Sequence, residues 1–175
     1  MPANIEIKAR VRNFADICQR AEALSGAVGE VIPQVDTFFR VDKGRLKLRD
    51  LGAGRAQLIF YQRPDRDGPK RSDYHIAAIA DPENLIRVLS MAYGIRGVVK
   101  KTRYLYLVGQ TRVHVDNVEG LGHFMELEVV LRDGQADAEG QAIAEDLMQK
   151  LGVQKSDLLE GAYMDLIEKR VERGE

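Results

Sequence analysis

The sequence predicts an α+β chain in which about eight antiparallel strands close into a barrel, with helices flanking it and forming its C-terminal end. Three observations carry that expectation. Apolar residues alternate with period 2 in eight separate segments and with period 3.6 in four others. Several of the period-2 segments are joined by short Gly-containing connections such as Val108-Gly109-Gln110, which favour antiparallel neighbours. Eight strands are also about the number that closes a barrel able to hold one small ligand.

Taken in order, the first strand is read over Asn4–Val11. Asn13 then caps a helix with Phe14, Ile17, Cys18, Ala21 and Leu24 on its apolar face and Gly26 just past its end. Strands follow at Val35–Val41, Arg45–Asp50, Ala56–Arg63 and Arg71–Ala77. Asp81-Pro82 opens a second helix with Leu85, Ile86 and Leu89 on one face, and Gly94 ends it. Three more strands span Val98–Val108, Thr111–Asp116 and Phe124–Leu131. A third helix carries Ile143, Leu147, Met148 and Leu151 and ends near Gly152. A fourth is expected to start at Ser156 or Asp157 and run through Leu158, Leu159, Tyr163, Leu166 and Ile167. No stretch reads as a linker or a repeat, so residues 1–175 are expected to form one domain.

Composition narrows the function classes. With 45% hydrophobic and 30% charged residues in 175, the chain is neither disordered nor membrane-spanning in type. No apolar run approaches ~20 residues, and the segment after Met1 lacks a secretory apolar core. A single cysteine, Cys18, cannot form an internal disulfide, which fits a reducing, cytoplasmic setting. A formal net charge of −1 predicts no nucleic-acid and no membrane partner, and a homodimer is left open. Any anion site must therefore come from local sorting of charges.

That sorting is visible along the strands. Glu6, Lys8 and Arg10 share one face of the first strand opposite Ile5, Ile7 and Ala9. Arg45, Lys47 and Arg49 share a face, as do Lys101 with Arg103, Arg112 with His114 and Asp116, and Glu126 with Glu128. One amphipathic strand alone usually turns its charges to water. The set is different, because like charges side by side on neighbouring strands repel. Cations gathered in a lumen each cost several kcal/mol of desolvation unless an anion accompanies them. A strongly anionic ligand removes the difficulty, and carboxylates spaced by two then suit a hard divalent cation.

These residues resemble the CYTH family, the triphosphate tunnel metalloenzymes that include class IV adenylyl cyclases and thiamine triphosphatases. The family's opening Glu-x-Glu-x-Lys appears as Asn4-Ile5-Glu6-Ile7-Lys8. The likeness continues through Asp36-Thr37-Phe38-Phe39, Gly44-Arg45-Leu46-Lys47-Leu48-Arg49 and Lys100-Lys101-Thr102-Arg103, and closes with the segment from Val115 to Glu128. It implies an eight-stranded tunnel that cradles a triphosphate-containing small molecule with Mg2+ or Mn2+. Carried over residue by residue, Glu6, Asp116, Glu126 and Glu128 look like metal ligands. Lys8, Lys47, Arg49, Arg63, Lys101, Arg103 and Arg112 look like triphosphate contacts. His114 is expected to be a hydrogen-bonded barrel histidine. Asn4 departs from the pattern, since an amide brings neither charge nor basicity to a slot that carries a carboxylate in the family.

The resemblance lies closest in layout to class IV adenylyl cyclases, which convert ATP to cyclic AMP and pyrophosphate. Hydrolysis of thiamine triphosphate, inorganic triphosphate or nucleotides is the alternative, and a polyphosphate-binding module without turnover is a third reading. An RNA-binding barrel is disfavoured by the net charge and by the lack of a basic, aromatic platform.

Overall fold

Alternation of apolar and polar residues over eight segments is resolved, in a computed structural model that describes residues 3–173, as eight strands in one closed sheet. The elements are β1 (Ala3–Arg10), α1 (Phe14–Ser25), β2 (Glu30–Phe39), β3 (Arg45–Asp50), β4 (Ala56–Gln62), β5 (Lys70–Ile79) and α2 (Pro82–Tyr93). They continue as β6 (Ile95–Val108), β7 (Thr111–Val118), β8 (Gly122–Val130), α3 (Asp137–Lys150), a 3-10 turn (Lys155–Asp157) and α4 (Tyr163–Glu172). The strands close in the order β1-β5-β4-β3-β2-β6-β7-β8, every pairing antiparallel.

The outward residues of half the barrel make the main core. Ile5, Ile7, Val113, Val115, Met125, Leu127 and Val129 pack under Ile17 and Ala21 of α1 and Ala144 and Leu147 of α3. Asn13 caps α1 by accepting from the Asp16 N–H (3.1 Å), and Gly26 ends it with φ 70°, a left-handed conformation that costs glycine little. Leu85, Ile86 and Leu89 of α2 cover Phe39, Leu48 and Ala56 on the far side. Among the described residues no helix is long and apolar enough to cross a membrane.

Most strand ends shift by one to three residues, and two boundaries differ by more. β2 begins at Glu30, five residues ahead of Val35, despite Pro33. β3 reaches only as far as Val35, so the first half of β2 has a partner on one side alone and tolerates a residue without an N–H. The fourth helix begins at Tyr163, not at Ser156 or Asp157. Between them the chain is extended: Leu158 bridges to Ala9, and the Leu159 N–H donates to the Lys8 carbonyl (2.9 Å). Gly161, at φ 75°, then turns it into α4.

Candidate functional site in the barrel lumen

The opposite face of each strand looks into the barrel, and its residues are sorted by depth. From one end to the other the inward positions run Phe38, Asp36, Gln34, Ile32 and Glu30 on β2, and Gly97, Val99, Lys101, Arg103 and Leu105 on β6. On β7 they run Val118, Asp116, His114 and Arg112, and on β8 Phe124, Glu126 and Glu128. The first end is apolar and filled. Phe38, Val99, Val118 and Phe124 pack against Tyr163 and Met164, which enter from α4. The other end opens to solvent past the exposed Glu30, Arg55 and Ile76, with Ile32, Leu51 and Leu105 beside them. Between lies a cavity of about 350 Å³, within the usual range for a small-molecule site.

Eight basic side chains and five carboxylates line this cavity, so it is cationic inside a chain whose net charge is −1. Lys8, Lys47, Arg49, Arg63, Lys101, Arg103 and Arg112, and the carboxylates Glu6, Glu126 and Glu128, all face it. Asp116 lies one layer behind, fully buried, accepting from Arg103 Nε (2.8 Å) and Nη2 (2.7 Å) and from the Tyr163 hydroxyl (2.9 Å). Arg10 and Arg45 leave the set. Arg10 is exposed at the end of β1, and Arg45 turns to Asp65 and Asp165 beneath the filled end.

The cations do not repel one another unrelieved, as their side-by-side placement suggested. Asp36, a residue to which sequence reasoning gave no role, accepts two hydrogen bonds from Arg49 (both 2.8 Å) and one from Lys47 (2.9 Å), with the Lys101 ammonium at 3.7 Å. Lys8 pairs with Glu126 (3.0 Å), Arg63 with Glu6 (2.6 Å), Arg103 with Glu126 (2.9 Å) and Arg112 with Glu128 (2.8 Å). Burial would raise the Asp36 carboxyl, but Arg49, Lys47 and Lys101 together hold it well below the carboxylate range. Burial pushes Lys47 down to about 7, with Arg49 adding to the effect, and Lys8 down to about 8 against the pull of Glu126. Burial likewise raises Glu6, aided by Glu128 and Glu126 and opposed by Arg63. Lys70 is wholly buried beside Glu6 and donates to the Arg66 carbonyl (2.7 Å).

His114, Glu126 and Glu128 form the one cluster among the described residues whose donor atoms could share a metal, all within 4.8 Å of one another. Contrary to expectation, the buried His114 Nδ1 has no hydrogen-bond partner, since the two carboxylates stand 3.8 and 3.9 Å away. Burial, and then Arg103, lower the His114 pKa, which favours the neutral imidazole that a metal binds. An orphaned nitrogen facing two carboxylates is a donor set that fits a divalent cation. Glu6 and Asp116 lie outside the cluster. Asn4 stands cross-strand from Ser72, its amide oxygen oriented toward Arg112 Nη2 (3.3 Å), and the Ser72 hydroxyl is buried without a partner.

Residues 2–163 match the CYTH domain, and the chain belongs to that family. It is 25% identical over 137 residues to a Methanocaldococcus jannaschii protein whose name proposes an adenylate cyclase, covering 75% of each chain. The PH1012 protein of Pyrococcus horikoshii OT3 has the same fold at TM-score 0.82 and 27% identity, over 93% of this chain and 98% of that one. An adenylyl cyclase candidate from Hippeastrum, described as having a dominant triphosphatase activity, shares the fold at TM-score 0.62 and 14% identity, over 87% and 89% of the two chains.

Proposed function

We propose that the chain is a single tunnel domain and a metal-dependent enzyme acting on a triphosphate held in the lumen, with ATP cyclised to cyclic AMP and pyrophosphate as the leading reaction. The observation that carries this is the meeting, in one cavity, of a basic cradle and the His114–Glu126–Glu128 donor set. Lys8, Lys47, Arg49, Arg63, Lys101, Arg103 and Arg112 are the residues proposed to position the phosphate chain and balance its charge, which is most of what phosphoryl transfer requires. Glu126 and Glu128, with His114, would hold Mn2+ or Mg2+, and the nitrogen donor weakens the case for Mg2+, which prefers oxygen ligands. A bound cation there would stabilise charge on the leaving pyrophosphate. In cyclisation the ribose 3′-oxygen would bond to the α-phosphorus as the bond from that phosphorus to the bridging oxygen breaks, with the 3′-hydroxyl proton lost to solvent and pyrophosphate leaving with the bond's electron pair. At the mouth the apolar side chains Ile32, Leu51 and Leu105, beside the charged Glu30 and Arg55, would give the nucleoside a place that inorganic triphosphate would leave empty.

Hydrolysis is the second reading, supported by one feature. The seven residues of the basic cradle are all assigned to phosphate, and of the three amides that line the cavity Asn4 and Gln34 are buried, which leaves Gln57 as the amide best placed to read a base. Incubation with ATP, tripolyphosphate and thiamine triphosphate, each with Mn2+ or Mg2+ and followed by phosphorus NMR, separates the outcomes. Cyclic AMP with pyrophosphate is expected. Orthophosphate release would assign a triphosphatase, and tight binding without any product would leave a binding module.

A further inference from the structure

We propose that the lumen is blind, so that it takes a triphosphate only by a free terminal phosphoryl end and excludes compounds esterified at both ends. The proposal rests on the reading of the lumen as a triphosphate site and adds the direction and the end-group requirement of its ligand.

The floor is built, not incidental. At the apolar end the inward side chains of four strands, Phe38, Val99, Val118 and Phe124, pack against Tyr163 and Met164, each 4% exposed. Gly97 faces the same space, and a Cβ there would lie 2.5 Å from Met164 Sδ, so the strand has been cleared of a side chain where Met164 enters. The segment is also fastened. Arg96 binds Asp165 (2.6 Å) and Glu168 (2.6 and 2.9 Å), Arg45 binds Asp165 (2.9 Å), and Arg63 donates to the Gly161 carbonyl (2.7 Å). With this segment packed and fastened in place, that end of the barrel is filled, and a ligand chain would continue past it only if α4 left the barrel.

Charge is graded in the matching sense. The Lys8 ammonium sits 3.8 Å from the Tyr163 ring centre and that of Lys101 4.9 Å from it, so two cations stand directly on the floor. Ile32, Leu51, Leu105 and Ile76 instead lie at the open end, where the two charged residues Glu30 and Arg55 are of opposite sign and exposed to solvent. A chain with one free end and one organic end satisfies both ends at once: the free phosphoryl group meets Lys8 and Lys101, and the organic group remains at the mouth. A chain esterified at both ends must either press an organic group onto the charged floor or stop short of these lysines.

The test is binding to the wild-type protein in metal-depleted buffer, by calorimetry, of tripolyphosphate, ATP, ADP and diadenosine triphosphate. ADP is the control for charge, because its formal charge when fully ionised equals that of diadenosine triphosphate while its chain is shorter and free at one end. Diadenosine triphosphate is expected to bind roughly tenfold or more weakly than ADP, the scale of a lost charged contact. Affinity at or above that of ADP would overturn the blind lumen while leaving the triphosphate reading intact, provided ATP and tripolyphosphate still bind. Failure of those two to bind would overturn both.

Discussion

Asp36→Asn tests the idea that the empty lumen carries its own counterions. Asp36 is 1% exposed and accepts three charge-assisted hydrogen bonds from Arg49 and Lys47, with Lys101 close by. The amide keeps the volume but turns a neutral NH2 toward cations and leaves three buried positive charges short of one negative. Removing one partner from a buried pair costs about 3–5 kcal/mol. For a chain of this length that is roughly 6–20 °C in midpoint. Tripolyphosphate should restore much of it, because the ligand supplies the missing charge and Asp36 no longer repels it. Where wild type gains about 2.7 kcal/mol at 100 times its Kd, the variant should bind about tenfold more tightly and gain about 1.4 kcal/mol more at the same concentration. The acid limb gives an independent check. A carboxyl whose folded pKa is depressed stabilises fully above its ordinary value of 3.8, and that stability is lost as pH falls through the folded value. The gap between wild type and variant should therefore shrink below about pH 4. Urea unfolding with and without tripolyphosphate measures all of this. An apo loss under about 1 kcal/mol, or weaker tripolyphosphate binding by the variant, would refute the counterion argument.

Glu128→Gln should lower Mn2+-dependent turnover by about 100-fold or more, near 3 kcal/mol in the barrier, with partial recovery at high Mn2+; a rate within about twofold of wild type would remove it from the metal site. Glu126→Gln should do the same but also lose apo stability, since Lys8 and Arg103 would each lose a partner, and chemical denaturation separates the two effects. Tripolyphosphate affinity should fall as pH rises through 7 to 8, because Lys47 (about 7) and Lys8 (about 8) lose their protons in the free protein and must regain them to bind an anion. Lys47→Arg should flatten the lower part of that profile, as read by calorimetry in buffers of different ionisation heat. Asn4→Glu should draw Arg112 from Glu128 and lower the Mn2+ concentration for half-maximal turnover; an unchanged requirement would count against Asn4 as the missing carboxylate.

The barrel was legible because its strands alternate cleanly. Ile5, Ile7 and Ala9 against Glu6 and Lys8, or Leu127 and Val129 against Glu126 and Glu128, leave one choice of faces. Asp36 was hidden because both sides of β2 are buried from Asp36 to Phe39, and a single carboxylate in an apolar run shows no period. Tyr163 was hidden for a different reason. Its helix carries the amphipathic pattern of any helix docked on a surface, and nothing in that pattern says that its first residues enter the barrel instead. The expected helix start at Ser156 failed on the same ground, because the pairing of Leu158 and Leu159 with β1 is a long-range event that local propensity does not encode.

Period 2 gives the face of a strand but not the depth at which a side chain sits, and depth divides these carboxylates into two kinds. Asp36 and Asp116, 1% and 0% exposed, are clamped by bidentate arginines and cannot leave those partners without stranding buried cations. Glu6, Glu126 and Glu128, 14 to 20% exposed, line the cavity itself and can change partners when a ligand arrives. On the proposed reading, an incoming triphosphate would exchange one set of ion pairs for another, taking Lys8, Arg63 and Arg112 from the three glutamates and leaving those glutamates in need of a cation. Metal and triphosphate would thereby be coupled through the same ion pairs, and each should tighten the binding of the other by the same factor. Asp36 in the lining and Asp116 one layer behind it hold the cradle together, and three glutamates can exchange partners with a ligand. That division follows from the geometry of the pairs, and no count of charges in the sequence contains it.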